Sequence, residues 1–231
     1  MQDDPVGRLQ TILPPHQIDV IIGSLLGDAR LECRSQGKRH PISARLRIQQ
    51  SEKQKEYVFW KYAQLENLVS RGPRRIMVWH DPKRNKDHYS WYFHTKTLVE
   101  LGELHHYFYR NNEKVLPEEI FQFLTPRSFA VWFMDDGSNN GDNCTINTHC
   151  FSRESQERII EFLKNAYGIT ATIVKDRTKW KIAVGRHSYQ KLFDIIKPFI
   201  APSMIYKVCS PRNDFAFKSK MEVNLPLNVG V

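Results

Sequence analysis

The chain has no apolar run approaching the roughly 18 residues that a transmembrane helix needs. It also shows no basic amphipathic stretch suited to lying on a membrane surface. Its start, Met1 to Gln10, carries two acids and no apolar core, so it does not read as a secretory signal. Cysteine is scarce: Cys33, Cys144, Cys150 and Cys209 form no C-x-x-C and share no histidine at zinc-finger spacing. They read as small buried hydrophobes of a reducing compartment, which excludes a disulfide scaffold and a zinc module. Acids are outnumbered, 25 against 34 Lys and Arg, leaving a net charge of +9. With a membrane partner excluded by pattern, that surplus points to nucleic acid. The hydrophobic share of 41% over 231 residues is enough for a proper folded core, so the chain is not a disordered polycation.

What the chain does contain is a repeat. Ile21-Ile22-Gly23-Ser24-Leu25-Leu26-Gly27-Asp28-Ala29 returns 108 residues later as Phe129-Ala130-Val131-Trp132-Phe133-Met134-Asp135-Asp136-Gly137. Each copy follows proline punctuation, at Pro14-Pro15 and at Pro126, and predicts an apolar helix ending on an acid. A carboxylate at a helix C-terminus meets like partial charge and costs about 0.3–1 kcal/mol. No Lys, Arg or His in the last turn of either motif offsets that cost. A bound divalent cation is the simplest group that would. Gly23 and Gly27 leave one side of the first helix almost bare backbone. Each glycine costs about 1 kcal/mol in a helix, which close approach of a second helix would justify.

The segments after each motif follow one plan. In the first half, strands are expected at residues 30–34 and 43–49, a helix of about 18 residues from Ser51-Glu52, strands at 74–79 and 88–94, and a helix over 95–109. In the second half, the strands fall at 143–149, 169–175 and 179–184, and the helices at 152–167 and 188–199. Each half is thus α-β-β-α-β-β-α, an α+β module present twice. The expected division is a loose lead-in at 1–14, a first half at 15–125, a second at 126–210 and a tail at 211–231. Lys114 and Lys207 fall at matching places but only 93 residues apart, so the first half carries about 15 extra residues, placed at 35–41 and 80–87.

Strand alternation puts Arg45, Arg47 and Gln49 on one face, opposite Ala44, Leu46 and Ile48. Arg suits guanine and Gln suits adenine in the DNA major groove. Asn143, Thr145, Asn147 and His149 make the corresponding row in the second half, so the two halves face an asymmetric target. The loop around Lys83 and Arg84 suits phosphate contact, and Arg30, Arg34, Gln50, Lys179 and Lys181 complete the expected DNA-binding set. If the motif helices pack side by side, Asp28 and Asp136 meet at the junction of the halves. Two carboxylates there suit Mg²⁺ and two-metal phosphodiester hydrolysis, with Lys114 and Lys207 placed to stabilise developing phosphate charge.

The two motifs, with the Trp-Phe-Met-Asp-Asp-Gly run, the Asn147-Thr148 strand and the stretch from Pro202 to Lys207, resemble the LAGLIDADG homing endonucleases in their monomeric, two-motif, intron-encoded form. The resemblance covers roughly residues 15–210. It implies the duplicated αββαββα fold with saddle-shaped sheets on double-stranded DNA. It also implies Asp28 and Asp136 as metal-binding catalytic acids, Gly27 and Asp135 as backbone carbonyl donors near the metals, and Lys114 and Lys207 at the active-site periphery. Ala29 and Ser24 depart from the family's motif without removing a ligand. Either acid of Asp135-Asp136 could serve, and register against the first copy selects Asp136. The implied reaction is a Mg²⁺-dependent double-strand break with short 3′ overhangs in a long target, made by a monomer with no membrane partner. An intron RNA maturase, or a non-cleaving DNA-binding regulator, is the alternative on the same fold. With no intein-type splicing residues framing the chain, a free-standing or intron-encoded protein of an organelle or of the bacterial cytoplasm is expected.

Overall fold

The computed structural model describes residues 5–33 and 43–209. Helix α1 (Pro5–Ile12) precedes the first motif helix α2 (Pro15–Leu26), and then come β1 (Arg30–Glu32), β2 (Arg45–Ser51), α3 (Lys55–Leu65), β3 (Arg74–Asp81), β4 (Lys86–His94) and α4 (Val99–Phe108). A two-strand hairpin, β5 (Tyr109–Arg110) and β6 (Glu113–Lys114), leads to the second motif helix α5 (Pro126–Asp136). The plan then repeats with β7 (Gly137–Asn139), β8 (Cys144–Ile146), α6 (Arg153–Tyr167), β9 (Ala171–Asp176), β10 (Lys179–Val184) and α7 (Tyr189–Ile196). The sheets have the orders β1-β2-β4-β3 and β7-β8-β10-β9, antiparallel throughout, so the halves share one topology. This is the α+β, duplicated αββαββα fold.

Several local boundaries differ from expectation, each for a physical reason. The lead-in is not loose: Val6, Leu9 and Leu13 are buried, and their i, i+3, i+7 spacing lays α1 against α4 and α2. Residues 95–98 are extended rather than helical, because Thr95 N–H donates to the Leu46 carbonyl and Leu98 bridges Ala44. The helix from Ser51 is split into 3₁₀ turns flanking α3. The turn at 110–114 is a tight hairpin whose Asn111 and Asn112 both take positive φ (51° and 66°), as two-residue hairpin turns require. Of the four cysteines only Cys144 is buried, and Cys150 is exposed. The extra length of the first half shows in β3 and β4, of 8 and 9 residues against 6 and 6 in β9 and β10. The other expected site of insertion, 35–41, and the tail at 211–231 lie outside the described residues.

The motif helices cross at the centre. Nearly every residue from Ile18 to Leu26 and from Ser128 to Met134 is buried, because each helix packs on its twin and on the elements of its own half. A Cβ built on Gly23 would lie 2.3 Å from the Ser128 carbonyl oxygen, and one on Gly27 2.5 Å from Asp135 Cβ. The glycines are therefore the contact surface between the halves. Gly23→Val should destabilise the protein by about 2 kcal/mol or more, because a backbone carbonyl cannot move aside and overpacking outweighs the gain in helix propensity. A lower urea midpoint with an unchanged slope would show it; an unchanged midpoint would contradict this packing.

Candidate active site

The C-terminal ends of α2 and α5 come together. Gly27 caps α2 and Asp28 stands exposed just beyond it, while Asp136 closes α5 and is half-buried. As in the sequence, neither helix has a basic residue in its last turn. Cations reach the helix ends from elsewhere in the chain. Lys114, held at the end of the β5–β6 hairpin, donates to the Gly27 and Ala29 carbonyls at 2.8 and 2.9 Å. Lys207, on the 3₁₀ turn Pro202–Lys207, donates to the Met134 and Asp135 carbonyls. Each half thus brings one lysine to the negative pole of its own motif helix. Burial lowers the pKa of both ammonium groups, against the pull of Asp28, Asp135 and Asp136.

The three acids occupy different environments. The Asp135 side chain is fully buried and salt-bridged to the equally buried Lys61, with Nζ at 2.7 and 2.9 Å from its two oxygens. It also accepts from the backbone N–H of Asp28 at 3.3 Å. Burial raises its pKa, with Lys61 opposing. Gln50 Nε2 bridges the site, donating to Asp28 Oδ2 at 2.9 Å and to Asp135 Oδ1 at 3.2 Å. Gln50, expected among the DNA contacts, is therefore corrected: alternation turns it inward, opposite Gln49, and it orients carboxylates. Asp136 is crowded instead of paired. Burial and the charges of Asp28 and Asp135 push its carboxyl up to about 7, against the pull of Lys114 and Lys207. A carboxylate left in that position suits a cation. Among the described residues no three Asp, Glu, His or Cys side chains form a metal cage, so further oxygens would come from carbonyls and phosphates, as hard cations accept.

On either side lie the two outward sheet faces. Arg45, Arg47 and Gln49 alternate with buried Leu46, Ile48 and Gln50 along β2. Arg30 pairs with Arg47 across the strands. Lys83 and Arg84 stand on the β3–β4 turn, where their N–H groups bond Asp81. Arg34 lies outside the described residues. In the second half Thr145 pairs with Ala183, which puts it on one face with Lys179 and Lys181. Strand β8 ends at Ile146, earlier than expected: the Asn147 N–H still bonds the Asp136 carbonyl at 3.0 Å in ladder register, but Asp136 is the last residue of α5, so no partner strand continues. Asn143 sits in the preceding turn, bonded to Asn140 and Asp142. His149 and Lys181 both face Asp176, at 3.4 and 3.0 Å.

The chain matches the sequence model of the LAGLIDADG DNA endonuclease family over residues 18–192. It belongs to that family. It is 32% identical over 213 residues to the DNA endonuclease I-ChuI of Chlamydomonas applanata, covering 85% of this chain and 95% of that protein. It is 30% identical over 201 residues to the cytochrome b mRNA maturase bI2 of Saccharomyces cerevisiae, a protein of which this chain spans about half the length (47%). The structure of the homing endonuclease I-WcaI bound to its DNA recognition sequence superposes with a TM-score of 0.76 at 22% identity, over 88% of this chain and 90% of that one, which shows the fold.

Within this LAGLIDADG frame, two residues that matter were not evident from the sequence. Lys61 had a signal: with Tyr57 and Leu65 it recurs every four residues on the buried side of α3, and a lysine on such a stripe calls for a buried acid. The other is Glu32, the one acid on the outward face of β1 and β2. Burial alone would raise its pKa, but hydrogen bonds from Arg30 and Arg45 and the charges of His94 and Arg47 hold it at about 2. Lowered from an ordinary 4.5, it contributes stability above that pH and loses it as pH falls towards 2. The melting-temperature gap between wild type and Glu32→Gln should accordingly be constant near neutrality and close between pH 4.5 and 2. A gap that persists at pH 2 would count against the ion cluster.

Proposed function

We propose that this protein is a site-specific homing endonuclease that makes a divalent-metal-dependent, staggered double-strand break with 3′ overhangs in a long, asymmetric DNA target. The observation that carries this reading is the pair of carboxylates, Asp28 and Asp136, at the ends of two packed helices between two differently decorated basic sheets. The family membership supports the nuclease chemistry. A cation such as Mg²⁺ would be held by Asp28 and Asp136, with the carbonyls of Gly27 and Asp135 as further oxygens. When bound, it supplies activation of water and stabilisation of the leaving oxygen.

The chain's own residues do the rest. The outward arginines, lysines and amides bind and orient the duplex, phosphate contacts setting register and base contacts setting sequence. Gln50 holds Asp28 in place, and the buried Lys61–Asp135 pair fixes the backbone next to both acids. Lys114 and Lys207 carry positive charge beside the site, where they stabilise negative charge on a bound phosphate. Both halves of the site lie in one chain, which supports action as a monomer. No described helix is long and apolar enough to cross a membrane. The 34% identity over 128 residues to a protein named as an intron-encoded endonuclease of Dictyostelium discoideum supports an intron-encoded reading frame, in an organelle or a bacterium.

The test is cleavage of a duplex carrying the uninterrupted form of the gene that harbours this reading frame, with Mg²⁺ and with chelator. Cutting at one site only with the metal is expected; no cutting of any such duplex would overturn the endonuclease reading. The 30% identity to a yeast mRNA maturase favours a second activity on intron RNA. Stimulation of splicing by the purified protein, with or without DNA cutting, would reveal it.

A further inference from the structure

A single carboxylate lies on the outward face of β1 and β2, surrounded by four cationic or titratable side chains. Glu32 pairs across the strands with Arg45, and Arg30 with Arg47, so all four share the outward face. Arg30 donates Nε and Nη2 to Glu32 Oε1 at 3.1 and 2.9 Å. Arg45 donates the same two atoms to Oε2 at 3.1 and 2.8 Å. His94 Nε2 lies 3.2 Å from Oε2. Arg47 gives its Nε and Nη2 to Gln49 Oε1 at 3.2 and 2.6 Å, places Nη1 3.4 Å from Glu32, and lies over the Tyr92 ring.

The stereochemistry of these bonds decides what the arginines can still do. A guanidinium has two edges able to donate paired hydrogen bonds, the Nε–Nη side and the Nη1–Nη2 end. Glu32 takes the side edge of both Arg30 and Arg45, and among the described residues nothing bonds either Nη1. Each therefore keeps its end edge without a partner among the described residues. Arg30 and Arg45 are 59% and 31% exposed, whereas Arg47 is only 18% exposed and engaged on both sides. Gln49, which the strand pattern offered as an adenine reader, uses its oxygen to hold Arg47. A fixed, outward pair of N–H donors matches guanine O6 and N7 in the major groove. Fixing it beforehand removes the rotamer entropy that binding would otherwise have to overcome.

We propose that Glu32 is a specificity-determining positioning residue, setting Arg30 and Arg45 to read guanines in the half of the DNA target that faces the first sheet. This rests on the DNA-endonuclease reading above and adds a base preference to it. The preference belongs to one half only. In the motif register, Arg30 and Glu32 correspond to Ser138 and Asn140, and the acid that the second sheet does carry, Asp176, faces Lys181 and His149 in place of two arginines. Glu32 also places one negative charge where any duplex must approach, which weakens binding to DNA that offers no guanine in compensation.

The experiment uses the full chain and a duplex library randomised across the selected target, sequencing what wild type, Glu32→Gln and Arg45→Lys retain. Affinity for a fixed non-cognate duplex is measured alongside as a function of salt. Wild type should prefer guanine about tenfold at each of two positions in one half-site. Glu32→Gln should flatten both preferences while binding the non-cognate duplex more tightly. Arg45→Lys should lose one preference only, because an ammonium keeps the charge but not the fork. A Glu32→Gln variant that loses affinity for cognate and non-cognate DNA together would mean that Glu32 merely holds the fold, and would overturn the proposal. So would a wild-type site without guanine bias, or a variant that keeps the bias. If wild type enriches no sequence at all, the endonuclease reading itself fails and the proposal with it.

Discussion

Asp28→Asn and Asp136→Asn should each lower double-strand cleavage by about 10³-fold or more while leaving DNA affinity within a few-fold of wild type. A metal at a transferring phosphate supplies several kcal/mol of charge stabilisation, and each 1.36 kcal/mol is tenfold in rate. An amide in place of either carboxylate removes a charged oxygen donor while keeping the side chain's shape. Binding, by contrast, is expected from the two sheets, which neither substitution touches. The Asp136 variant carries its own folding control. A carboxyl whose pKa is raised from 3.8 to about 7 destabilises the folded state as pH climbs through that range. In metal-free buffer at pH 8 the Asn variant should therefore melt above wild type, and at pH 3 the two should coincide. A variant that both cuts normally and melts like wild type at every pH would sink the assignment of Asp136. Normal cutting by Asp28→Asn would do the same for its partner.

The second large effect is on stability. Lys61→Met should destabilise the protein by about 3–5 kcal/mol, because it leaves the Asp135 carboxylate buried with no counter-charge. That is a large part of the roughly 5–15 kcal/mol that holds a domain of this kind together. The double variant Lys61→Met with Asp135→Asn should recover most of the loss, since removing both charges removes the desolvation penalty along with the attraction. Asn keeps the shape that packs on Gly27 and one acceptor oxygen, so it retains one of the two bonds that the Asp28 N–H and Gln50 give to different oxygens of Asp135. The cycle is read from urea midpoints of wild type, both single variants and the double. Additive losses, with no recovery in the double, would mean that the pair is not coupled. The pair also reaches the candidate active site, because Gln50 links Asp135 to Asp28. Cleavage by the single Lys61 variant should fall even at temperatures where it remains folded.

How much of this was legible in the sequence follows from which signals are periodic. The repeat at a spacing of 108 residues, the bare Gly23–Gly27 side and the two-residue alternation along β2 and β8 are all local patterns. Each survived folding because burial acts on every residue of an amphipathic element alike. The boundary errors came where one long-range bond overrode a local preference. Thr95 and Leu98 are held extended by Leu46 and Ala44, and Asn147 meets the last residue of α5 where a strand partner would be needed. Helix α1 was missed because its stripe is only Val6, Leu9 and Leu13, three residues whose apolar face has meaning only once α4 is there to cover it.

The sequence by itself determined two αββαββα modules, a helix pair at their junction, aspartates at the helix ends and two unlike polar faces, because hydrophobic periodicity and glycine spacing act over a turn or a strand. The tertiary structure alone decided which of the adjacent acids is paired and which is left without a partner among the described residues. Asp135 meets Lys61, 74 residues away, and Asp136 does not. It also decided that Lys114 and Lys207 reach back over 85 residues or 72 to the carbonyls of the motif helices, and that Glu32 takes the side edges of two arginines. These are meetings of charges across the chain, governed by burial and distance, which no local pattern encodes.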